Sequence, residues 1–163
     1  MTRKLTLLAL VVIGSLFLAG SALAAAGTAS ASVTVVEPLA LVQVLDMAFG
    51  TIAPPSAAAQ DFVLSAAGVV DDTASDGNYF SGAQAAQFTV DGSNGETVTV
   101  SPSVTADFTD AGLSLGTLVA SVGGTLALDG TAQPINIGGT LNVATGAAAG
   151  AHVATIQLEV LYQ

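Results

Sequence analysis

Three carboxylates and one amide crowd a short stretch of the chain, and their side-chain oxygens are the ligand type that calcium prefers. The four residues are Asp71, Asp72, Asp76 and Asn78. Their spacing is not that of an EF-hand loop, since no glutamate closes a twelve-residue span. A solvated loop of Asp, Ser and Gly accounts for the same residues. The sequence therefore predicts at most a weak calcium site here, and no other cofactor.

Candidate catalytic residues are few. The only histidine, His152, lies near the start of the last apolar stretch, and a Ser-His-Asp triad would need a nucleophile and an orienting carboxylate beside it. Neighbouring carboxylates such as Asp107 and Asp110 could serve in glycoside hydrolysis. However, the chain has no tryptophan to stack on a sugar ring, and its two tyrosines are Tyr79 and Tyr162. The sequence predicts no enzyme and no catalytic residue.

The N-terminus has the three parts of a secretory signal peptide. Arg3 and Lys4 form a positive start, an apolar run from Leu5 to Leu18 follows, and Ala22-Leu23-Ala24 supplies a cleavage site. We expect a helical leader over residues 1–24 that is cleaved, and an exported protein in the periplasm, at the cell surface or outside the cell. An uncleaved membrane anchor is the alternative, although the strongly apolar run is shorter than the roughly 20 residues that span a bilayer. The chain has no cysteine, so neither a lipid anchor nor a disulfide is expected.

Charge is distributed unevenly along the chain. Both cationic residues precede the expected cleavage site, whereas all 12 acidic residues follow it. A mature chain without lysine or arginine cannot neutralise phosphates, which excludes nucleic acid and anionic lipid surfaces as partners. Association between copies of this chain must therefore depend on backbone pairing or apolar contact rather than on salt bridges.

The rest of the chain has the pattern of short strands separated by turns. Apolar and polar residues alternate in six stretches: residues 61–64, 87–90, 96–100, 113–115, 140–143 and 155–160. This pattern is typical of an all-β sandwich or barrel. Residues 91–95 have the composition of a tight hairpin turn. Gly-Gly-Thr-Leu occurs at residues 123–126 and again at residues 138–141, which predicts two strands that each begin at a glycine bend.

Residues 25–38 form an N-terminal segment ahead of a predicted sandwich domain over residues 39–163. Four apolar residues lie on one face of an extended chain in this segment, at a spacing of two: Ala29, Ala31, Val33 and Val35. In one interpretation the segment is the first strand of the protein's own sandwich. In the other, Thr28 to Val36 is a donor strand that completes an open sheet in a neighbouring copy. Apolar burial suffices for either, so energy alone does not choose between them.

Several short motifs resemble a family of secreted bacterial proteins built on a domain of unknown function, type 4402. They are an F-G-x-I opening within Leu45–Ile52, a strand at Phe88–Gly92, a strand at Gly138–Val143 and a closing strand within Gly150–Tyr162. That family is similar in pattern to spore-coat-protein-U-type subunits and archaic chaperone–usher pilins, although this chain lacks the cysteine pair usual in pilins. The resemblance implies an immunoglobulin-like, pilin-like antiparallel β-sandwich. It also implies that the partners are further copies of the chain, a periplasmic chaperone and an outer-membrane assembly pore.

We expect the closing strand to be the neighbour of an added donor strand. Its alternate residues are Ile156, Leu158, Val160 and Tyr162. The sequence thus predicts an acidic structural or adhesive cell-surface protein, most concretely a subunit of a fimbria-like filament that assembles non-covalently by β-strand addition. The alternative is a monomeric secreted module that binds glycan, or calcium weakly, without catalytic activity.

Overall fold

The computed structural model of the protein describes residues 26–71, 78–109 and 111–163. The predicted leader, residues 1–24 with its helix, lies outside the described residues. The chain divides into two compact units, Met1–Thr34 and Val35–Gln163. In the first unit residues 26–34 are described, and they form neither helix nor strand.

The second unit is an all-β domain, since its described residues contain strands and no helix. Each ladder between these strands is antiparallel. The strands are β1 Ala40–Leu45, β2 Thr51–Ile52, β3 Gln60–Leu64, β4 Val70–Asp71, β5 Tyr79–Ser81, β6 Ala86–Asp91, β7 Thr97–Ala106, β8 Leu113–Ala120, β9 Thr125–Ala127, β10 Gln133–Val143 and β11 Thr155–Tyr162. The predicted all-β fold is confirmed. In the part of the chain that the structure describes, there is no helix with the length and apolarity needed to cross a membrane.

Strand β10 organises the larger sheet, because β3, β6 and β8 all pair with it. Ile137 pairs with residues of both β6 and β8, so these two strands lie on opposite edges of β10. Leu141 pairs with residues of both β3 and β8, which places β3 on the same edge as β6. Strands β3 and β6 therefore lie end to end along one side of β10. Their outer neighbours are β4 and β1, respectively.

Gly138 marks the point on β10 where β3 ends and β6 begins. A Cβ atom at this position would overlap the carbonyl oxygen of Leu64, so only glycine leaves room for the chain to leave the ladder here. The excursion that follows, residues 65–85, includes β4 and β5. The predicted glycine bend is therefore wrong for the second Gly-Gly pair, which lies inside a strand. It is confirmed for the first pair, because Gly123 and Gly124 have φ angles of 65° and 96° directly before β9.

The smaller sheet has the order β11–β7–β9 and packs face to face with the larger one. One core cluster contains buried residues from both sheets: Ala86, Val90, Ile135 and Ile137 from the larger, and Val98, Val100 and Leu158 from the smaller. Alternate residues supply this core, as expected of strands with one buried face. The two packed layers confirm the predicted sandwich.

The turn between β6 and β7 differs from its prediction. Gly95 has a φ of 85°, as a tight turn requires. However, β6 belongs to the larger sheet and β7 to the smaller one, so the strands do not pair with each other. The predicted hairpin is therefore wrong, and the turn carries the chain from one layer to the other.

A second core cluster lies against the other half of β10. Its largest buried residues are Phe62, Leu64, Leu141 and Val143. The partly buried hydrophobic residues around it lie in or beside β2, β5 and β8 and on connecting segments, and none lies in β7 or β11. This half of the larger sheet is thus covered by short ribbons and loops rather than by the smaller sheet.

Candidate functional site

A groove with a volume of about 1040 Å³ opens beside the second core cluster. Its first wall comprises residues 46–52, and its second wall comprises residues 147–156. Its floor is apolar and includes Ala86, Phe88, Leu115, Leu141 and Val143. These floor residues belong to β6, β8 and β10, so the groove reaches down to the inner face of the larger sheet. A concave apolar surface of this size is the usual form of a binding site.

The first wall is held in place by backbone contacts with the segment around β5. Ala48 and Gln84 exchange two backbone hydrogen bonds of 2.8 Å. Gly50 has a φ of 80°, and a Cβ atom there would overlap the carbonyl oxygen of Ser81. The neighbouring Phe49 packs on the second core cluster. The F-G-x-I motif therefore builds this wall, because its glycine permits the close contact and its aromatic ring attaches the wall to the core.

The second wall is a run of small residues that leads into β11. Residues 147–154 form no strand. The Ala148 amide donates to the Ala111 carbonyl at 3.0 Å, and His152 Nε2 lies 2.8 Å from the Ala148 carbonyl oxygen. Because most side chains here are alanine or glycine, the wall leaves the groove wide.

The outer edge of β11 is free beside this groove. Strand β11 pairs with β7 along one edge, and no strand among the described residues pairs with its other edge. The strands can be assigned to those of an immunoglobulin sandwich. In the larger sheet, β1 takes the position of strand A, β3 and β6 together that of B, β10 that of E and β8 that of D. In the smaller sheet, β7 takes the position of strand C and β11 that of F. Strand G of that fold pairs with F. The described domain thus has one strand position open, and Thr155 and Ile156 of β11 line the groove at that position.

The predicted donor residues lie on an exposed segment. Val33 and Val35 are each 85% exposed, and Ala29 and Ala31 are exposed as well. Residues 26–39 form no strand, and the first strand of the described chain is β1. The described residues of this segment thus show no strand, and both interpretations, first strand and donor strand, stay predictions.

The predicted residues of the closing strand all belong to β11 and face the core. Leu158 is buried, and its alternate neighbours pack against the first core cluster: Ile156, Val160 and Tyr162. Their side chains thus hold β11 in the sandwich, while the free edge of its backbone is the part that an added strand would meet. Their role in a subunit interface stays a prediction.

The predicted calcium ligands are only partly described. Asp72 and Asp76 lie outside the described residues, Asp71 is exposed in β4, and Asn78 donates from Nδ2 to Gln60 Oε1 at 3.0 Å. The described residues include no group of three or more His, Asp or Glu side chains that could hold a metal ion. The weak calcium site stays a prediction. A melting temperature that rises with millimolar calcium and falls in chelator would support it, and an unchanged melt would contradict it.

One motif associated with nucleophilic catalysis was overlooked at the level of sequence. Residues 112–116 read Gly-Leu-Ser-Leu-Gly and match the Gly-x-Ser-x-Gly pattern of a nucleophile elbow. An elbow places its serine on a sharp turn between a strand and a helix. Ser114 instead lies within β8, where it pairs with Asn142 of β10. The motif therefore lacks elbow geometry, and the prediction of no enzymatic activity stays a prediction.

An immunoglobulin-like sandwich with an open strand position and an apolar groove defines the class of the protein. The family model described as a domain of unknown function (DUF4402) matches residues 39–162, and the chain belongs to this family. The match spans both sheets and both walls of the groove. No curated protein and no solved structure matches the chain. The predicted family is confirmed, whereas the finer similarity to spore-coat-protein-U-type subunits and pilins is not.

Proposed function

We propose that the protein is a structural or adhesive subunit of a bacterial cell surface that polymerises by β-strand addition. Residues Thr28 to Val36 of one copy enter the groove of the next copy and pair with the free edge of β11. The proposal rests on one observation: an open strand position coincides with an apolar groove at the start of β11. An added strand would satisfy backbone groups of that edge and cover the apolar floor at the same time.

Residues Thr28 to Val36, which we call the leading segment, have the properties of a strand that fills this position. Its apolar side chains alternate with serine and threonine, so one face suits the floor and the other suits water. Burial of two valines and two alanines contributes about 4–6 kcal/mol. Each backbone hydrogen bond along the edge contributes about 1 kcal/mol more.

Charge favours the same pairing. The segment from Gly27 to Val36 carries no charged side chain, whereas the residues that line the groove include the acidic Asp46. An acidic partner segment would be repelled by this carboxylate and by the anionic domain as a whole. The uncharged leading segment of a second copy avoids that repulsion.

Export and assembly partners complete the proposal. The leader over residues 1–24 directs the chain out of the cytoplasm, and the mature chain acts in the periplasm, at the cell surface or outside the cell. Similarity in pattern to spore-coat-protein-U-type subunits and archaic chaperone–usher pilins suggests a periplasmic chaperone and an outer-membrane pore as helpers. N-terminal sequencing of the protein from cells should give a start at Ala25, and an intact N-terminus would contradict export by cleavage.

The test removes the leading segment and supplies it as a separate peptide. A mature chain without Gly27–Val36 keeps the whole sandwich and should run as a soluble monomer in size-exclusion chromatography. A synthetic peptide of residues 27–36 should bind to this monomer and raise its melting temperature. The matched control is the same peptide with Val33→Asp and Val35→Asp, which should not bind.

Electron microscopy of the intact mature chain supplies the other half of the test. The proposal expects linear polymers of the intact chain and none of the shortened one. An intact chain that stays monomeric and gains nothing from the added peptide would contradict the proposal. That result would favour the alternative, a monomeric secreted binding module.

A further inference from the structure

Three residues form a closed set of hydrogen bonds where the N-terminal segment joins the sandwich. The Tyr162 hydroxyl donates to the Glu37 carbonyl at 2.7 Å and accepts from the Ser93 amide at 2.9 Å. The Glu37 amide donates to Ser93 Oγ at 2.6 Å. Both backbone groups of Glu37 are thereby fixed, one to the end of β11 and the other to the turn after β6. We call these three residues the Tyr162 clamp.

The sequence is adapted to this clamp at the adjacent Gly92. A Cβ atom on Gly92 would lie 2.5 Å from the Tyr162 hydroxyl and 2.9 Å from a methyl group of Leu39. Glycine is therefore the residue that lets the tyrosine reach across to Glu37. The ring of Tyr162 packs against the first core cluster, so its hydroxyl is held on a rigid base.

The clamp and the groove lie at opposite ends of β11. Thr155 and Ile156 line the groove, and Tyr162 is the last residue of the strand. Seven residue steps of about 3.3 Å separate the two ends by roughly 23 Å. The clamp therefore holds Glu37, the residue that directly follows the leading segment, far from the groove of the same domain.

We propose that Tyr162 is a positioning residue for strand donation. Its hydroxyl fixes Glu37, so that Val36 and the residues before it leave the sandwich from a set point at the end remote from the groove. Because Glu37 is fixed, the leading segment has less conformational freedom to lose when it enters a neighbouring copy. Binding of the segment is thereby strengthened without a new contact in the groove. This inference rests on the proposed function and adds a residue that acts on the donor and not on the acceptor.

The test uses the substitution Tyr162→Phe, which keeps the packed ring and removes only the hydroxyl. It compares donation, in which a chain supplies its leading segment to a neighbour, with acceptance, in which a chain binds that segment in its groove. Polymers of Tyr162→Phe chains should dissociate at a chain concentration about tenfold higher than unmodified polymers, the factor expected when the backbone of one residue is no longer ordered before donation. Acceptance is measured in full mature chains that carry Val33→Asp and Val35→Asp and so cannot donate. Their affinity for the peptide of residues 27–36 should be the same within twofold with and without Tyr162→Phe.

The control is Ser121→Ala, which removes a side-chain acceptor of the Asn136 amide away from the clamp and the groove. It should leave both polymer dissociation and peptide affinity unchanged. Parallel losses of donation and acceptance in Tyr162→Phe, or no loss of either, would overturn the inference. If the chain with Tyr162 intact binds no peptide at all, the proposed function itself fails, and the two failures are thus distinguishable.

Discussion

Glycines at equivalent places in a repeated sequence have different roles in the two sheets. Gly123 and Gly124 use positive φ angles to turn the chain into β9. Gly138, at the corresponding place in the second repeat, instead gives room for Leu64 to approach β10. The difference arises because Gly138 lies beside β3, a strand that pairs with β10 but comes some 70 positions earlier in the sequence. The repeated motif therefore shows that glycine occurs at both places, but it does not show whether a positive φ angle or a close approach requires it.

Gly138→Ala should destabilise the domain strongly, because the added methyl group overlaps a backbone carbonyl that cannot move without breaking the ladder. We expect a loss of about 3 kcal/mol or more in the free energy of unfolding, measured by urea denaturation. The matched control is Gly116→Ala on the neighbouring strand β8, where the nearest atom to a Cβ is 3.4 Å away. That change should alter stability by less than about 1 kcal/mol. Equal effects of the two substitutions would show that the close approach at Gly138 is not needed.

Asp129 should contribute to stability in a pH-dependent way. Hydrogen bonds from the side chain and the backbone amide of Thr131, at 2.7 Å and 2.9 Å, lower the pKa of this exposed carboxyl from its ordinary value of 3.8. A carboxyl whose pKa is lower in the folded state stabilises the fold above its ordinary pKa, and loses that contribution as the pH falls through the lowered value. The stability difference between the unmodified chain and Asp129→Asn should therefore shrink as the medium is acidified below pH 3.8. Urea denaturation at several pH values measures it, and a difference independent of pH would contradict the assignment.

At the scale of elements, alternation identified the strands that are half buried. All six alternating stretches overlap strands of the two sheets. Strands β2, β4 and β5 were not predictable, because runs of two or three residues show no period. Strand β1 was missed as an alternating strand for another reason: it is an edge strand whose six residues are all exposed. Although exposed, it is apolar except for Gln43, and such a run shows no alternation.

The groove could not be predicted from sequence, although its parts could be named. Its first wall follows β1, its second wall precedes β11, and its floor comes from the strands between them. The F-G-x-I motif and the closing strand each signalled a family, but no local pattern shows that they face each other. That information is contained in the sheet topology.

Hydrogen exchange should locate the added strand on these elements. Binding of the peptide of residues 27–36 should slow exchange of backbone amides in β11 and in residues 46–52, because an added strand pairs with the one and covers the other. Exchange in β9 should not change, since it pairs with β7 at the other edge of the smaller sheet and none of its residues lines the groove. Slowed exchange confined to β9, or unchanged exchange throughout, would place the peptide elsewhere.

At the scale of the whole molecule, the charge distribution governs how copies meet. The chain carries 12 acidic residues and no lysine or arginine after Lys4, so copies of it repel one another at long range. Added salt shortens that repulsion, from a Debye length of about 30 Å at 0.01 M to about 8 Å at 0.15 M. Polymerisation followed by light scattering should therefore become faster over this range of salt. Slower assembly in salt would indicate attraction between opposite charges, which this composition does not provide.

The central place of β10 has a consequence for the order in which the chain acquires structure. Because β3, β6 and β8 all pair with a strand that begins at residue 133, most of the larger sheet cannot close until the last fifth of the chain is available. In the proposed export, a chain that emerges N-terminus first would therefore remain unfolded through most of its passage, a state that a narrow translocation channel can accommodate. A truncated chain that stops at Ala132 should accordingly give the circular dichroism of a random coil, and a sheet-rich spectrum from that fragment would refute this dependence.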